Sequence, residues 1–276
     1  MGEWWYSQLE MVSIKKNNKG ELKEATGLRT RKTSIYIPGQ NETFKISRSK
    51  FSNFMDCKRC FYLDRVKGLQ EPSMPGWALN TAVDELLKKE FDYYRERKEP
   101  HPIFKKYNLN FIPYAHEDMD KWRNSLSGGI SYQDENTNLI LHGGIDDVWF
   151  NLDTKELVVT DYKAQSTKIE VNKEYYLASQ YHQGYKMQMD IYVHILRKMG
   201  FTVSDTTYFM VCNGEKTPER FDAKMDFTIT LVDYEANTNW IEDKITEMKE
   251  TLESKEMPKR NPYCENCAYL EQGAKL

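Results

Sequence analysis

The sequence has no long apolar run. Nothing in its 276 residues approaches the roughly 20 consecutive apolar residues that cross a bilayer. The opening stretch MGEWWYSQLEMVSIKK also lacks the basic-then-apolar order of a secretory signal. Both absences predict an intracellular, cytoplasmic protein with no membrane partner. There is no glycine-rich phosphate loop, no G-x-S-x-G and no nucleotide-binding fingerprint, which argues against an ATPase within the chain. Histidine is scarce. The five present, His101, His116, His142, His182 and His194, form no pair at ligand spacing, so none is assigned to a site, although His142 stands near a GGID stretch discussed below. Internal repeats and low-complexity linkers are missing too, which favours one domain with embellishments over an array.

Charge and aromatic mass are plentiful, at 29% and 13% of residues. With 39% hydrophobic residues, the chain can bury a sizeable core. The net charge of −3 hides a split: residues 11–70 hold 14 Lys or Arg against 5 Asp or Glu, a surplus of 9, so the remainder carries −12. A basic segment on an acidic chain is either a solvated face or a polyanion-facing surface.

Periodicity gives the element order. The first 45 residues are polar and turn-rich, which predicts extended or hairpin structure. ISRSKFSNFMDCKRCFYLDRVKG has helical spacing. WALNTAVDELLKKEFDYYRER places Leu79, Val83, Leu86, Leu87, Phe91 and Tyr94 on one stripe, an amphipathic helix with Asn80 and Asp84 one turn apart on its polar edge. After an irregular, proline-containing stretch come three strand signals, GISYQ, NLILHGGIDDVWFN and ELVVTDYK, separated by DENT and LDTK, which suit hairpin turns. YHQGYKMQMDIYVHILRKMG predicts a helix and TTYFMVCNG a strand; a further strand (FTITLVDY), a long charged helix and a Cys-containing tail complete the chain. The order helix, three strands, helix, strand predicts an α/β fold.

The third strand signal ends in DYK. Side chains alternate along a strand, so Asp161 and Lys163 share a face while Tyr162 points to the other. The preceding strand offers Asp146 or Asp147 across the turn, and the neighbouring apolar positions do not decide between them. Two carboxylates and a lysine on adjacent strands make a hard-oxygen site suited to Mg²⁺, at which a phosphodiester is polarised and a water acidified. The plainer reading is a cross-strand ion pair.

In this ordered set the sequence resembles the PD-(D/E)XK nuclease superfamily, and within it the RecB-like exonucleases that include the CRISPR-associated adaptation nuclease. The likeness runs from about residue 46 to residue 270. It implies a restriction-endonuclease-like core, a mixed central sheet flanked by helices, with a Cys-clamped helical and terminal region. GGID resembles the family's acidic motif, which gives the first metal-ligand role to Asp146. DYK resembles its D/E-x-K motif, which makes Asp161 the second ligand, Tyr162 a carbonyl ligand and Lys163 the catalytic lysine. QMDIY resembles its Q-x-x-x-Y motif, which gives Gln188 and Tyr192 a role in positioning nucleic acid or orienting the lysine. Relatives commonly carry a metal-binding His on the first core helix; here Asn80 stands in that place, with Asp84 one turn on. The implied domains are a polar extension over 1–45, the nuclease over 46–270 and a tail over 271–276. The implied activity is hydrolysis of DNA with Mg²⁺ or Mn²⁺, on single-stranded DNA as an exonuclease in repair, recombination or CRISPR- and phage-related processing, with a helicase or another nuclease-complex component as protein partner. The rival is a non-catalytic nucleic-acid-binding or scaffolding protein, against which the intact DYK argues.

Four of the five cysteines form two C-x-x-C pairs, Cys57 with Cys60 and Cys264 with Cys267, while Cys212 sits within an apolar strand and reads as core. In an intracellular chain such pairs indicate a four-thiolate metal site over disulfides, without naming the metal. Cluster-bearing RecB-like nucleases resemble this arrangement, which implies a [4Fe-4S] cluster clamped by residues 57–60 and 264–267. Those relatives usually have one upstream and three downstream cysteines, and Gly273 lies where the third downstream one is often found. The two-and-two pattern keeps Zn²⁺ as the alternative.

Overall fold

The computed structural model describes residues 14–73 and 77–276, so part of the expected N-terminal extension lies outside the described residues. In chain order the elements are β1 (Phe44–Ser47), α1 (Arg48–Asp56), α2 (Lys58–Arg65), α3 (Ala78–Arg97), α4 (Pro102–Lys106), β2 (Phe111–Pro113), α5 (Met119–Arg123), β3 (Ile130–Gln133), β4 (Leu139–Gly143), β5 (Asp147–Asn151), β6 (Leu157–Gln165), α6 (Lys173–Ala178), α7 (Gln183–Lys198), β7 (Thr206–Gly214), β8 (Phe227–Glu235), α8 (Ile241–Glu253) and α9 (Glu265–Gly273). The chain forms two compact units: the described parts of 1–40, 56–76 and 250–276 make one, and 41–55 with 77–249 make the other. Among the described residues no helix is long and apolar enough to cross a membrane.

The larger unit is mixed α/β, as the sequence predicts. Its main sheet has the order β2-β5-β6-β7-β8, with β6 and β7 parallel and the other neighbours antiparallel. The central strand β6 is buried on both faces, which explains its nearly continuous apolar run before Asp161. On one face Val158 and Tyr162 pack with Leu87 and Phe91 of α3 and with Trp149, Met210 and Cys212. Phe91 stacks on Trp149 at 5.5 Å and Phe104 meets it edge-on at 4.7 Å, the geometries aromatic quadrupoles favour. The other face carries α7, whose residues Gln188 to Leu196 are all buried.

Two sequence readings change within this unit. The stretch NLILHGGIDDVWFN is not one strand: β4 belongs to a separate three-stranded sheet, order β1-β4-β3, and the chain leaves it at Gly143 to enter the main sheet at Asp147. Both glycines are required by close approach. A Cβ on Gly143 would lie 2.6 Å from the Tyr192 ring, and one on Gly144 would lie 2.8 Å from the Ser125 Cβ. The stripe read on α3 is also narrower than expected. Leu87, Phe91 and Arg95, four residues apart, face inward with Val83 packed against them, while Leu79 and Leu86 stay exposed.

In the smaller unit the segment near residues 27–36 runs antiparallel to 65–70, through a Leu28–Leu69 bridge and through Tyr36 N–H donating to the Arg65 carbonyl at 2.6 Å. The helix read across residues 46–68 is broken at Cys57, whose extended backbone (φ −160°) makes it the N-cap of α2. Cys264 caps α9 in the same way, and α2 packs against α9.

Candidate active site

A cleft of about 560 Å³ opens in the larger unit where β4, β6 and α7 meet the start of α1. Asp146, Asp161, Lys163, Gln188 and Tyr192 all line it. The alternation of β6 sends Asp161 and Lys163 to the α7 side, and the Lys163 ammonium contacts the Asp161 carboxylate directly. Asp161 is 0% exposed. Burial, and then the neighbouring Asp146 carboxylate, push its carboxyl up to about 7 against the pull of Lys163. Burial works against the Lys163 charge, but the Asp161 and Asp146 carboxylates outweigh it and hold the amine above its ordinary value. The ammonium also lies 4.5 Å from the centre of the Tyr185 ring.

The two adjacent aspartates have opposite surroundings. Asp146 sits in the bend before β5 and accepts from the Tyr162 backbone N–H at 2.9 Å, on the Asp161 side. Asp147 is paired across the ladder with Thr160 and points to the Tyr162 face. There it accepts from the Tyr162 hydroxyl at 2.7 Å, from Arg123 at 3.2 Å and from Arg95. The choice the sequence left open between them thus follows from strand parity.

Gln188 and Tyr192 are 5% and 3% exposed and are committed to the acidic residues. The Gln188 amide donates to Asp161 at 2.6 Å, and the Tyr192 hydroxyl donates to the Gly144 carbonyl at 2.6 Å. Together they tie the DYK strand to the loop that carries Asp146. Asn80 is exposed and is not part of the cleft wall; its amide nitrogen donates to the Ala164 carbonyl at 3.3 Å. From the same helix it is Asp84 that approaches the acidic pair. Lys88 lies 2.7 Å from Asp84 and 3.6 Å from Asp146, and burial followed by the Asp146 charge raises the Asp84 carboxyl above its usual range.

This donor set fits a divalent cation. Asp146 and Asp161 line the cleft, Asp84 stands beyond its wall close enough to feel the Asp146 charge, and the Asp84 Oδ1 is buried with no hydrogen-bond partner. Several wall residues were not assigned to the site from sequence. Arg48, counted only within the basic segment, stands beside the Tyr192 hydroxyl; Ser125 and His142 also line the cleft, His142 paired across the ladder with Ser47. Tyr185 precedes Gln188 by three residues and so shares its helical face, a signal the sequence does carry. Elsewhere the basic segment is divided between the two units, with Arg29 paired to Asp64 and Arg59 to Glu271.

The four paired cysteines converge in the smaller unit, unbridged, with their sulfur atoms all within 4.8 Å of one another. Although burial raises it, the Cys57 thiol is brought down to about 7 by the backbone N–H groups of Asn261 and Cys60 and by the neighbouring thiols. Burial pushes Cys267 up to about 11.

One solved structure, of a candidate exonuclease from Eubacterium rectale, is similar to the chain at 14% identity and a TM-score of 0.41, over 82% of this chain and 87% of that one. No curated protein matches the chain significantly. The family model of the PD-(D/E)XK nuclease superfamily matches residues 45–272, a span that holds both motif strands, α7 and all four clustered cysteines, and the chain belongs to that superfamily.

Proposed function

We propose that the protein is a divalent-metal-dependent deoxyribonuclease that hydrolyses phosphodiester bonds at the Asp146–Asp161–Lys163 cleft, with single-stranded DNA as its substrate. The observation that carries the reading is the convergence of two carboxylates and an ammonium group in one cleft, with the carboxylate of Asp161 fully buried. Asp146 and Asp161 would hold Mg²⁺ or Mn²⁺, with Asp84 at the edge of the set. Such a cation would supply Lewis-acid polarisation of the phosphodiester and would offset the charge that builds as the phosphate is attacked.

The remaining work falls to the chain's own groups. Lys163, kept charged by its two acidic neighbours, stabilises negative charge developing on the reacting phosphate. Gln188 fixes the orientation of Asp161 through its amide, and Tyr192 fixes the loop of Asp146 through the Gly144 carbonyl; both act as positioning residues. Arg48 and the Ser47 and Ser49 hydroxyls, on the wall formed by the start of α1, offer donors to a nucleic-acid backbone. The preference for single strands is supported by Tyr185 in the cleft and by Tyr181, which is 91% exposed at the approach to α7. Unpaired bases stack on such rings, whereas bases in a duplex already stack on one another.

The test is cleavage of end-labelled single-stranded DNA, duplex DNA and single-stranded RNA with Mg²⁺, Mn²⁺ or EDTA. Metal-dependent cutting of single-stranded DNA ahead of the other two is expected. No cutting of any substrate with either metal would return the chain to the non-catalytic reading.

A further inference from the structure

The thiol cluster has a geometry of its own, independent of the nuclease reading. Cys57 lies 3.7 Å from Cys267, and Cys60 lies 3.5 Å from Cys264 and 3.4 Å from Cys267, sulfur to sulfur. Four thiolates around a single ion with metal–sulfur bonds of about 2.3 Å form a tetrahedron whose edges are about 3.8 Å. In a four-iron cluster each thiolate binds a different iron, so the cage stands between the sulfurs and holds them out of contact with one another. A two-iron cluster would bring the sulfurs together in two separate pairs. Cys60 is in contact with both Cys264 and Cys267, and Cys267 is also in contact with Cys57, so the sulfurs do not divide into two remote pairs.

We infer that Cys57, Cys60, Cys264 and Cys267 form a mononuclear tetrahedral four-thiolate site, filled by one zinc ion, and that this arrangement does not accommodate the iron–sulfur cluster implied by the family resemblance. The local fold prepares each pair for this. Cys57 and Cys264 are the N-caps of α2 and α9, and Cys60 and Cys267 follow in the first turn. Both C-x-x-C segments therefore wrap a helix N-terminus, where free N–H groups and the positive end of the helix dipole favour thiolate charge. Arg59 pairs with Glu271 at 2.7 Å and Asn261 donates to the Asp56 carbonyl at 2.8 Å, so the segments flanking the thiols are joined without a metal bond. All four positions are filled by protein, the closed pattern of a structural zinc site, with no open position for substrate.

The experiment is metal analysis of the full chain, purified anaerobically from cells supplied with both iron and zinc, combined with X-ray absorption at the bound metal. The expected result is close to one zinc per chain, colourless protein, and a single sulfur shell near 2.3 Å with no metal–metal scattering. A thiol-specific mercurial should then release one equivalent of zinc to a colorimetric chelator and lower the melting temperature in the presence of excess Mg²⁺. Cys57→Ser and Cys267→Ser should each lose the zinc; should either not fold, the wild-type stoichiometry and absorption spectrum still decide. Brown protein with iron and acid-labile sulfide, iron in place of zinc, or folded wild-type chain with no metal would each overturn the inference.

Discussion

Adjacent aspartates with opposite surroundings should respond oppositely to the same substitution. Asp147 is 0% exposed and holds two guanidinium groups, those of Arg95 and Arg123, whose side chains are each only 8% exposed. Asp92, more exposed, also pairs with both guanidinium groups, so Asp147→Asn removes the buried one of the two charges that balance them while leaving a side chain of nearly the same shape. Breaking a buried ion pair from one side costs roughly 3–5 kcal/mol, because the partner charge is left buried and uncompensated. For a domain of this size about 1 kcal/mol moves the melting temperature by roughly 2–4 °C, so a fall on the order of 6–20 °C is expected. Asp146→Asn keeps an oxygen that accepts from the Tyr162 N–H and relieves repulsion with Asp161, so its stability should stay within about 1 kcal/mol of the parent. Its activity should not survive. Loss of a carboxylate ligand costs several kcal/mol in the transition state, on the order of 10²–10³ in rate. Calorimetric melting together with cleavage rates at a temperature well below both transitions reads the two effects separately. An Asp147→Asn protein as stable as the parent, or an Asp146→Asn protein that cuts at the parental rate, would refute the assignment of faces.

Gly143→Ala should force the Tyr192 ring away from a contact that would shrink to 2.6 Å, costing about 1–3 kcal/mol of stability and a larger share of activity, because Tyr192 holds the loop of Asp146. Combined with Tyr192→Leu, the stability loss should be less than the sum of the two single losses, and strict additivity in melting experiments would count against that contact. Asp84→Asn should raise the metal concentration needed for half-maximal cleavage while Asn80→Ala leaves it unchanged; titrating activity against Mg²⁺ and Mn²⁺ distinguishes them, and the reverse pattern would place the α3 ligand at Asn80.

The parts of the site legible in the sequence are those governed by local periodicity. Asp161 and Lys163 share a face because β6 is a regular strand, and Gln188 and Tyr192 share one because α7 is a regular helix. The choice between Asp146 and Asp147 was not legible in the periodicity, and only the family resemblance gave it to Asp146. It depends on where the chain leaves one sheet for another, and that point is set by the close approach of Tyr192 and Ser125 to Gly143 and Gly144, residues distant in sequence. The break at Cys57 was likewise hidden inside helical spacing, since only the meeting of residues 57–60 with 264–267 requires an extended residue there. Arg48 was marked only as one of the basic residues of 11–70, and Ser125 reaches the cleft through tertiary folding alone, with nothing in its neighbourhood to mark it. The α3 stripe was read too broadly because a hydrophobic pattern does not say how far the covering sheet extends.

The most direct measurement is the single-turnover rate of single-stranded DNA cleavage at saturating Mn²⁺ for the parent chain and for Lys163→Ala, with melting curves to confirm that both are folded. Lys163 pairs with the buried Asp161 carboxylate, so its removal should lower stability as well as delete a charge aimed at the reacting phosphate, and the rates are compared at a temperature where the melting curves show both proteins folded. A loss of about 10²–10³ in rate is expected for a preorganised electrostatic group of this kind. A folded Lys163→Ala protein that cleaves DNA at the parental rate would contradict the assignment of the reaction to this cleft.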